Sequence, residues 1–221
     1  MLLTRARVTR SWFAVLSAVV VLVGLAVLAG PAGAQTSERI TRYDSDLPVE
    51  HDGGLLVRET ITYDFGSTPR HGIIRTIPVR ADYPPRANHD RVYPIDVLSV
   101  TASGGASADH EESEDGNDLN IRIGDPDRVV TGEHTYEITY RVHGAYNAFP
   151  DHDELYWNVI GNEWQVPIES GTAVVHTPAG ITQVACFTGY YSSVTPCGTA
   201  VADGSTATFT IPESGLHRTR A

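Results

Sequence analysis

From Leu55 to Phe65 the chain keeps two sets of side chains apart. Leu55, Val57, Glu59, Ile61, Tyr63 and Phe65 form one set, apolar except for the glutamate, and Leu56, Arg58, Thr60, Thr62 and Asp64 form the other. A repeat of two residues puts each set on its own face of a strand, whereas a helix would scatter both around its axis. The pattern recurs. Ile95 to Ala102 reads as a strand, and Leu119, Ile121 and Ile123 alternate with Asn120 and Arg122. Tyr136, Ile138, Tyr140 and Val142 alternate with Glu137, Thr139 and Arg141, and Thr172 to His176 and Ala207 to Ile211 complete the set. Asp52-Gly53-Gly54 supplies a hairpin turn back to an earlier strand near Ile40 to Val49. Gly124-Asp125-Pro126-Asp127 stops the strand before it, and Ser103 to Asn117 reads as a polar loop. Eight or nine short strands of this kind predict an all-β fold. The expected architecture is an antiparallel β-sandwich, immunoglobulin-like in general outline, with a barrel as the alternative.

The first residues obey other rules. Arg5, Arg7 and Arg10 precede an apolar run from Ser11 to Gly30, and Ala32 and Ala34 then give a small-x-small site. That order defines a secretory signal. The alternative is an uncleaved anchor, because a run of about 20 apolar residues spans a ~30 Å hydrocarbon layer. The expected organisation is a signal over 1–34, a main sandwich over 35–178, disulfide-stapled C-terminal strands of the same domain over 179–214, and a tail over 215–221. The expected location is outside the cell or in its envelope, with membrane anchoring only if the signal segment is retained or the chain is a fragment. No second apolar run approaches spanning length, so no further membrane span is expected.

Charge narrows the partners. Residues 1–34 hold three of the 16 basic residues and none of the 27 acidic ones, which leaves the remainder at −14. Such a surface repels phosphate backbones, so nucleic acid is excluded as a partner. Cys186 and Cys197 form an even pair in a chain bound for oxidising surroundings, and Gly189, Ser192, Ser193 and Pro196 lie between them. This reads as a disulfide closing a hairpin-like loop, against two free thiols or a metal pair as alternatives.

Leu155 to Ile168 reads as a hairpin turning at Gly161-Asn162. Parity then places Trp157 and Trp164 on an apolar face with Leu155, Val159, Val166 and Ile168, as core residues rather than a sugar platform. Asn158 falls on the polar side, with Tyr156, Ile160, Glu163 and Gln165, as a candidate binding residue.

Four pieces in order carry a family resemblance. They are Val57 to Phe65, His71 to Arg75, Thr131 to Tyr140, and Asp153 to Trp164. Together they resemble domain of unknown function 2207, over about residues 38–212. The resemblance implies an envelope protein with an exported N-terminal β domain, followed in longer members by membrane helices. It implies no established enzymatic activity. Against that plan the chain stops at Ala221, which predicts either a stand-alone secreted version or a truncated gene.

Nucleophile elbows, metal-binding histidine pairs and phosphate-cradling glycine loops are missing from the sequence. Three constellations remain. Asp151, Asp153 and Glu154 could serve glycoside hydrolysis if held about 5–9 Å apart. Asp109 to Asp118, with Asp125 and Asp127, could hold Ca²⁺ but lacks the spacing of a calcium loop, so a solvated loop is expected. His110 and His152 sit in acidic loops and read as solvated. Glu59 shares an apolar face and needs compensation, and Arg75, in an equally apolar stretch, is the expected partner. The alternatives are a polar binding site at a sandwich edge, or a bulge that turns Glu59 outward. The expected function is therefore an exported, non-catalytic module, without cofactor or metal, that binds a protein or glycan of the envelope. The alternatives are a cell-wall polysaccharide hydrolase using the loop carboxylates, and a spacer domain truncated from a longer membrane protein.

Overall fold

A computed structural model describes residues 38–82, 88–189 and 193–211. The signal segment, the tail and the last residues of the expected C-terminal segment lie outside the described residues. The first six strands are β1 (Arg39–Pro48), β2 (Leu55–Asp64), β3 (Gly72–Pro78), β4 (Arg80–Asp82), β5 (Asp90–Val92) and β6 (Ile95–Ala102). Five more follow: β7 (His110–Asp115), β8 (Asp118–Gly124), β9 (Glu133–Val142), β10 (Tyr146–Ala148) and β11 (Asp153–Leu155). The last are β12 (Gly171–His176), β13 (Phe187–Thr188), β14 (Thr195–Pro196), β15 (Thr199–Asp203) and β16 (Thr206–Ile211).

The fold is all-β. Seven strands form one sheet in the order β15-β16-β12-β1-β2-β9-β6, and three form a second in the order β3-β8-β7. One core joins them. Tyr43 and Leu47 of β1, Val57 and Ile61 of β2, and Tyr136, Ile138 and Tyr140 of β9 pack with Ile73 and Ile77 of β3 and Ile121 and Ile123 of β8. The alternation of β2 is realised as read, with Leu55, Val57, Glu59, Ile61 and Tyr63 buried. The turn before it forms as expected, with Gly53 at φ 84° and the Gly54 N–H donating to Asp52 Oδ1 at 3.0 Å.

Three expectations need correction. The pairing is not wholly antiparallel, because β12 runs parallel to β1 from Tyr43↔Gly171 to Pro48↔His176. Side-chain alternation sets which face a strand buries but says nothing of its direction. The acidic stretch expected as a loop contains β7, which pairs with β8 from His110↔Ile123 to Asp115↔Asp118. Every β7 residue is exposed, so neither face leaves an apolar imprint on the sequence. The hairpin at Gly161-Asn162 does not form. Instead β11 pairs with β10, and residues 156–167 cross the molecule as an irregular strap. The strap ends where Ile168 bridges Ile40 in parallel, and the Ile40 N–H donates to Pro167 O at 2.9 Å.

Candidate functional site

Two polar sites stand out, one sealed and one open. The sealed one is the pair expected from parity. Glu59, from the middle of β2, and Arg75, from the middle of β3, have side chains 0% and 1% exposed. Arg75 Nε donates to Glu59 Oε2 at 2.8 Å and Nη2 to Oε1 at 2.7 Å, a fork that matches the carboxylate edge to edge. The Tyr140 hydroxyl adds a third hydrogen bond to Oε1 at 2.7 Å. The other guanidinium hydrogens go to main chain. Nη1 donates to Thr76 O at 2.8 Å and Ile160 O at 3.0 Å, and Nη2 to Val159 O at 2.9 Å. Five donors thus meet five acceptors, the condition under which a buried charge is tolerable.

This arrangement accounts for the failed hairpin. The Ile160 carbonyl, which hairpin pairing with Glu163 would have used, is taken by Arg75, as is that of Val159. Gly161 turns the strap there at φ 83°, and a Cβ at this position would lie 2.9 Å from Arg75 Nη1. Trp164 closes over the same place. It is buried, donates from Nε1 to Ile160 O at 3.0 Å, and meets Tyr43 edge-on. Trp157 is half-buried against the core, edge-on to Tyr93. Both tryptophans therefore pack as the sequence predicted, without the predicted hairpin. Burial opposes the charge on Arg75, but Glu59, Tyr43 and Tyr140 outweigh it and hold the guanidinium ionised. Burial likewise pushes the Tyr43 and Tyr140 phenols well above their usual range. With both side chains closed to solvent, the pair fastens β2, β3, β9 and the strap together.

The remaining predicted residues do not converge. Asp151, Asp153 and Glu154 are all exposed. Asp151 contacts His152 at 2.9 Å, which holds its carboxyl below the usual range, and Glu154 accepts from Asn147 Nδ2 at 3.2 Å. His152 also stacks on Phe149, and His110, exposed at the start of β7 rather than in a loop, has its ring nitrogen Nδ1 3.2 Å from Ala108 O. Asn158 is spent locally, accepting from the Gly161 N–H at 3.1 Å. Among the described residues, no three histidine, cysteine or acidic side chains are grouped to hold a metal. Cys186 and Cys197 are bonded, with Cα atoms 5.4 Å apart, at the base of the β13–β14 hairpin.

The open site was not read from the sequence. It is a depression of about 380 Å³ on the outer face of the seven-stranded sheet, lined by Arg42, Asp44, Asp46, Arg58, Thr60, Thr172 and Val174, with Ser45. Registers explain how these meet: Asp44 lies between Thr60 of β2 and Thr172 of β12, and Asp46 between Arg58 and Val174. Arg42 pairs with Asp44 Oδ2, and Arg58 Nη1 with Asp46 Oδ2 at 2.8 Å. The two pairs cancel in charge. Asp44 Oδ1 is enclosed and accepts no hydrogen bond. The polar parity of β2 was visible in the sequence, but the β12 half of the site depends on the unforeseen parallel pairing.

The class that these observations define is an all-β domain with an ion pair buried in its core and a polar outer face. Within it, this chain belongs to the family described as predicted membrane protein (DUF2207), N-terminal domain, which matches residues 39–217. The uncharacterized protein YciQ of Escherichia coli (strain K12) is 29% identical over 133 residues, which cover 59% of this chain and 21% of that protein. Among solved structures, yeast LTA4 hydrolase matches with a TM-score of 0.47 at 12% identity, over 80% of this chain and 27% of that one. An M1 zinc metallopeptidase from Deinococcus radiodurans matches with a TM-score of 0.42 at 14% identity, over 82% of this chain and 40% of that one. The chain thus spans about a fifth of YciQ and less than half of either of these solved chains.

Proposed function

We propose that this chain is an exported, non-catalytic binding domain of a membrane-protein family, and that its outer-face depression takes a neutral sugar unit of an envelope glycan. The observation that carries this reading is the depression itself. Its size is within the range of small-molecule sites. Its two arginines, two aspartates and two threonines offer donors and acceptors to vicinal hydroxyls, and its balanced charge favours an uncharged ligand. The acidic remainder of the surface discourages anionic polymers, which supports the same choice.

Calorimetric titration of the protein with neutral and anionic envelope oligosaccharides tests the proposal. Neutral oligosaccharides should bind, and Asp44→Ala should weaken them about tenfold, the cost of one charge-assisted hydrogen bond, with the unfolding midpoint little changed. A protein that binds none of them, or binds only anionic ones, overturns it. Turnover of wall polysaccharide abolished by Asp153→Asn would instead establish the hydrolase reading.

A further inference from the structure

The stretch from Thr177 to Ala202 holds no aspartate, glutamate, lysine, arginine or histidine, the longest such run after residue 34. Its middle is the β13–β14 hairpin, braced at the base by the Cys186–Cys197 bond and by the Cys197 N–H, which donates to Cys186 O at 3.2 Å. Ser193 Oγ donates to Thr188 O at 2.8 Å and braces it further out. Phe187 pairs with Pro196, and Thr188 with Thr195. Parity therefore puts Phe187, Val194 and Pro196 on one face. All three are exposed, Phe187 at 63% and Val194 at 79%. A lone exposed apolar residue is ordinary, but an apolar face on a braced, charge-free hairpin marks a contact surface.

The place of the hairpin in the fold points to its occupant. Tyr43 of β1 pairs with Gly171 of β12, and Gly171 with Ile211 of β16. Beside them lies Gly198, whose N–H donates to Thr210 O at 2.8 Å, one residue past the hairpin's disulfide. β1 starts at this end of the seven-stranded sheet with Arg39, and β16 finishes there with Ile211. The chain thus enters and leaves the sheet at the end that carries the hairpin. In the sequence, the apolar run Ser11 to Gly30 precedes the point of entry. The family is described as a predicted membrane protein of which this is the N-terminal domain, so the rest of such a protein follows the point of exit.

We infer that the β13–β14 hairpin docks in the interfacial layer of a lipid bilayer, with Phe187 and Val194 inserted at the boundary between headgroups and acyl chains. Aromatic and aliphatic side chains on an otherwise polar element partition into that layer. Charge supplies a second argument. The chain after residue 34 carries −14, which repels anionic headgroups, and the hairpin is the part that can approach without that cost. Neutral lipid is therefore the preferred surface. Two side chains make a weak contact, which tethering to the same membrane strengthens. The inference does not rest on the proposed sugar site, which lies on β1, β2 and β12.

Tryptophan probes in the full chain, mixed with phosphatidylcholine vesicles whose acyl chains are brominated, read the docking directly. Phe187→Trp should add an emission, over that of the unsubstituted protein, that is blue-shifted and quenched by bromine. His51→Trp, in the exposed turn between β1 and β2 at the opposite end of the sheet, should add an emission that is neither. Combining Val194→Asp with Phe187→Trp should cut the inserted-to-free ratio about tenfold, because a carboxylate must then enter the interface. Replacing part of the lipid with phosphatidylglycerol should also lower that ratio, and about 1 M salt, which shortens the Debye length to about 3 Å, should restore it. A Phe187→Trp emission that bromine leaves untouched overturns the inference. So does equal quenching of His51→Trp, insertion that ignores Val194→Asp, or insertion that anionic lipid strengthens.

Discussion

Removing either partner of the Glu59–Arg75 pair leaves a charge in the core, and the two removals should not cost the same. Glu59→Gln keeps the volume but replaces one acceptor oxygen with an NH₂ group facing the donors of Arg75 or Tyr140. Stranding a buried charge this way typically costs about 3–5 kcal/mol. Arg75→Met leaves the Glu59 carboxylate with only the Tyr140 hydroxyl. It also takes the Arg75 donors from the carbonyls of Thr76 and Val159, each worth about 1–3 kcal/mol if it stays dry, while Ile160 O keeps its bond from Trp164 Nε1. Arg75→Met should therefore be the more damaging change. The double variant removes the charge imbalance but not the open carbonyls, so it should be less stable than wild type while beating the sum of the singles by about 3 kcal/mol or more. Urea unfolding, followed in parallel by tryptophan fluorescence and far-UV circular dichroism, gives the four corners of the cycle. Because domains of this kind hold only about 5–15 kcal/mol in total, Arg75→Lys serves as a milder corner should Arg75→Met fail to fold. A coupling energy below about 0.5 kcal/mol, the spread expected of independent sites, would refute the pairing and the account of the strap built on it.

The other predictions are simpler. Gly161→Ala should cost clearly more than Gly132→Ala, since both glycines have positive φ but only a Cβ at 161 would collide with Arg75; urea midpoints of the two variants compare them. Reducing Cys186–Cys197, or replacing both with Ala, should lower stability by about 3 kcal/mol in the chain-entropy model; an unchanged midpoint with two titratable thiols would contradict this. Alkaline pH should destabilise the protein by a stated route. Burial raises the Tyr43 and Tyr140 phenols well above their usual range and pushes Tyr136 up to about 12. Below the unfolded value of about 10 these phenols are protonated in both states. Above it the unfolded chain ionises first, so stability falls as pH rises toward 12. Tyr136→Phe should flatten that decline in a series of urea midpoints against pH.

How much of this was legible depends on what a residue's neighbours in sequence can report. Burial of a strand face imprints a period of two, so β2, β8 and β9 and their inward residues could be read. The partnership of Glu59 with Arg75 was also accessible, because a charge on an apolar face demands an answer and few cations lay in apolar surroundings. The bonds from Arg75 to Val159 and Ile160 were not accessible. They use main-chain carbonyls, which every residue has, so composition carries no mark of them. The strap escapes for the same reason: its apolar alternation is genuine, but an arginine from β3 takes the Ile160 carbonyl that a hairpin needs. β7 left no pattern because nothing covers it. The outer depression needed the side-by-side placement of β1 and β12, which no local signal encodes.

That placement has a kinetic consequence. Ser170, just before β12, hydrogen-bonds through its hydroxyl to Thr41 O in β1, across 129 residues of sequence. Neighbours this distant close only after most of the chain is available, and loop closure of that length slows folding. β2, β9 and β6 can zip onto β1 from one side while its other edge stays bare. A chain interrupted before residue 171 would keep that bare edge permanently and would be prone to aggregate through it. The last strands to be made, β12, β16 and β15, therefore cap the growing sheet, and they set when the domain becomes safe from its neighbours.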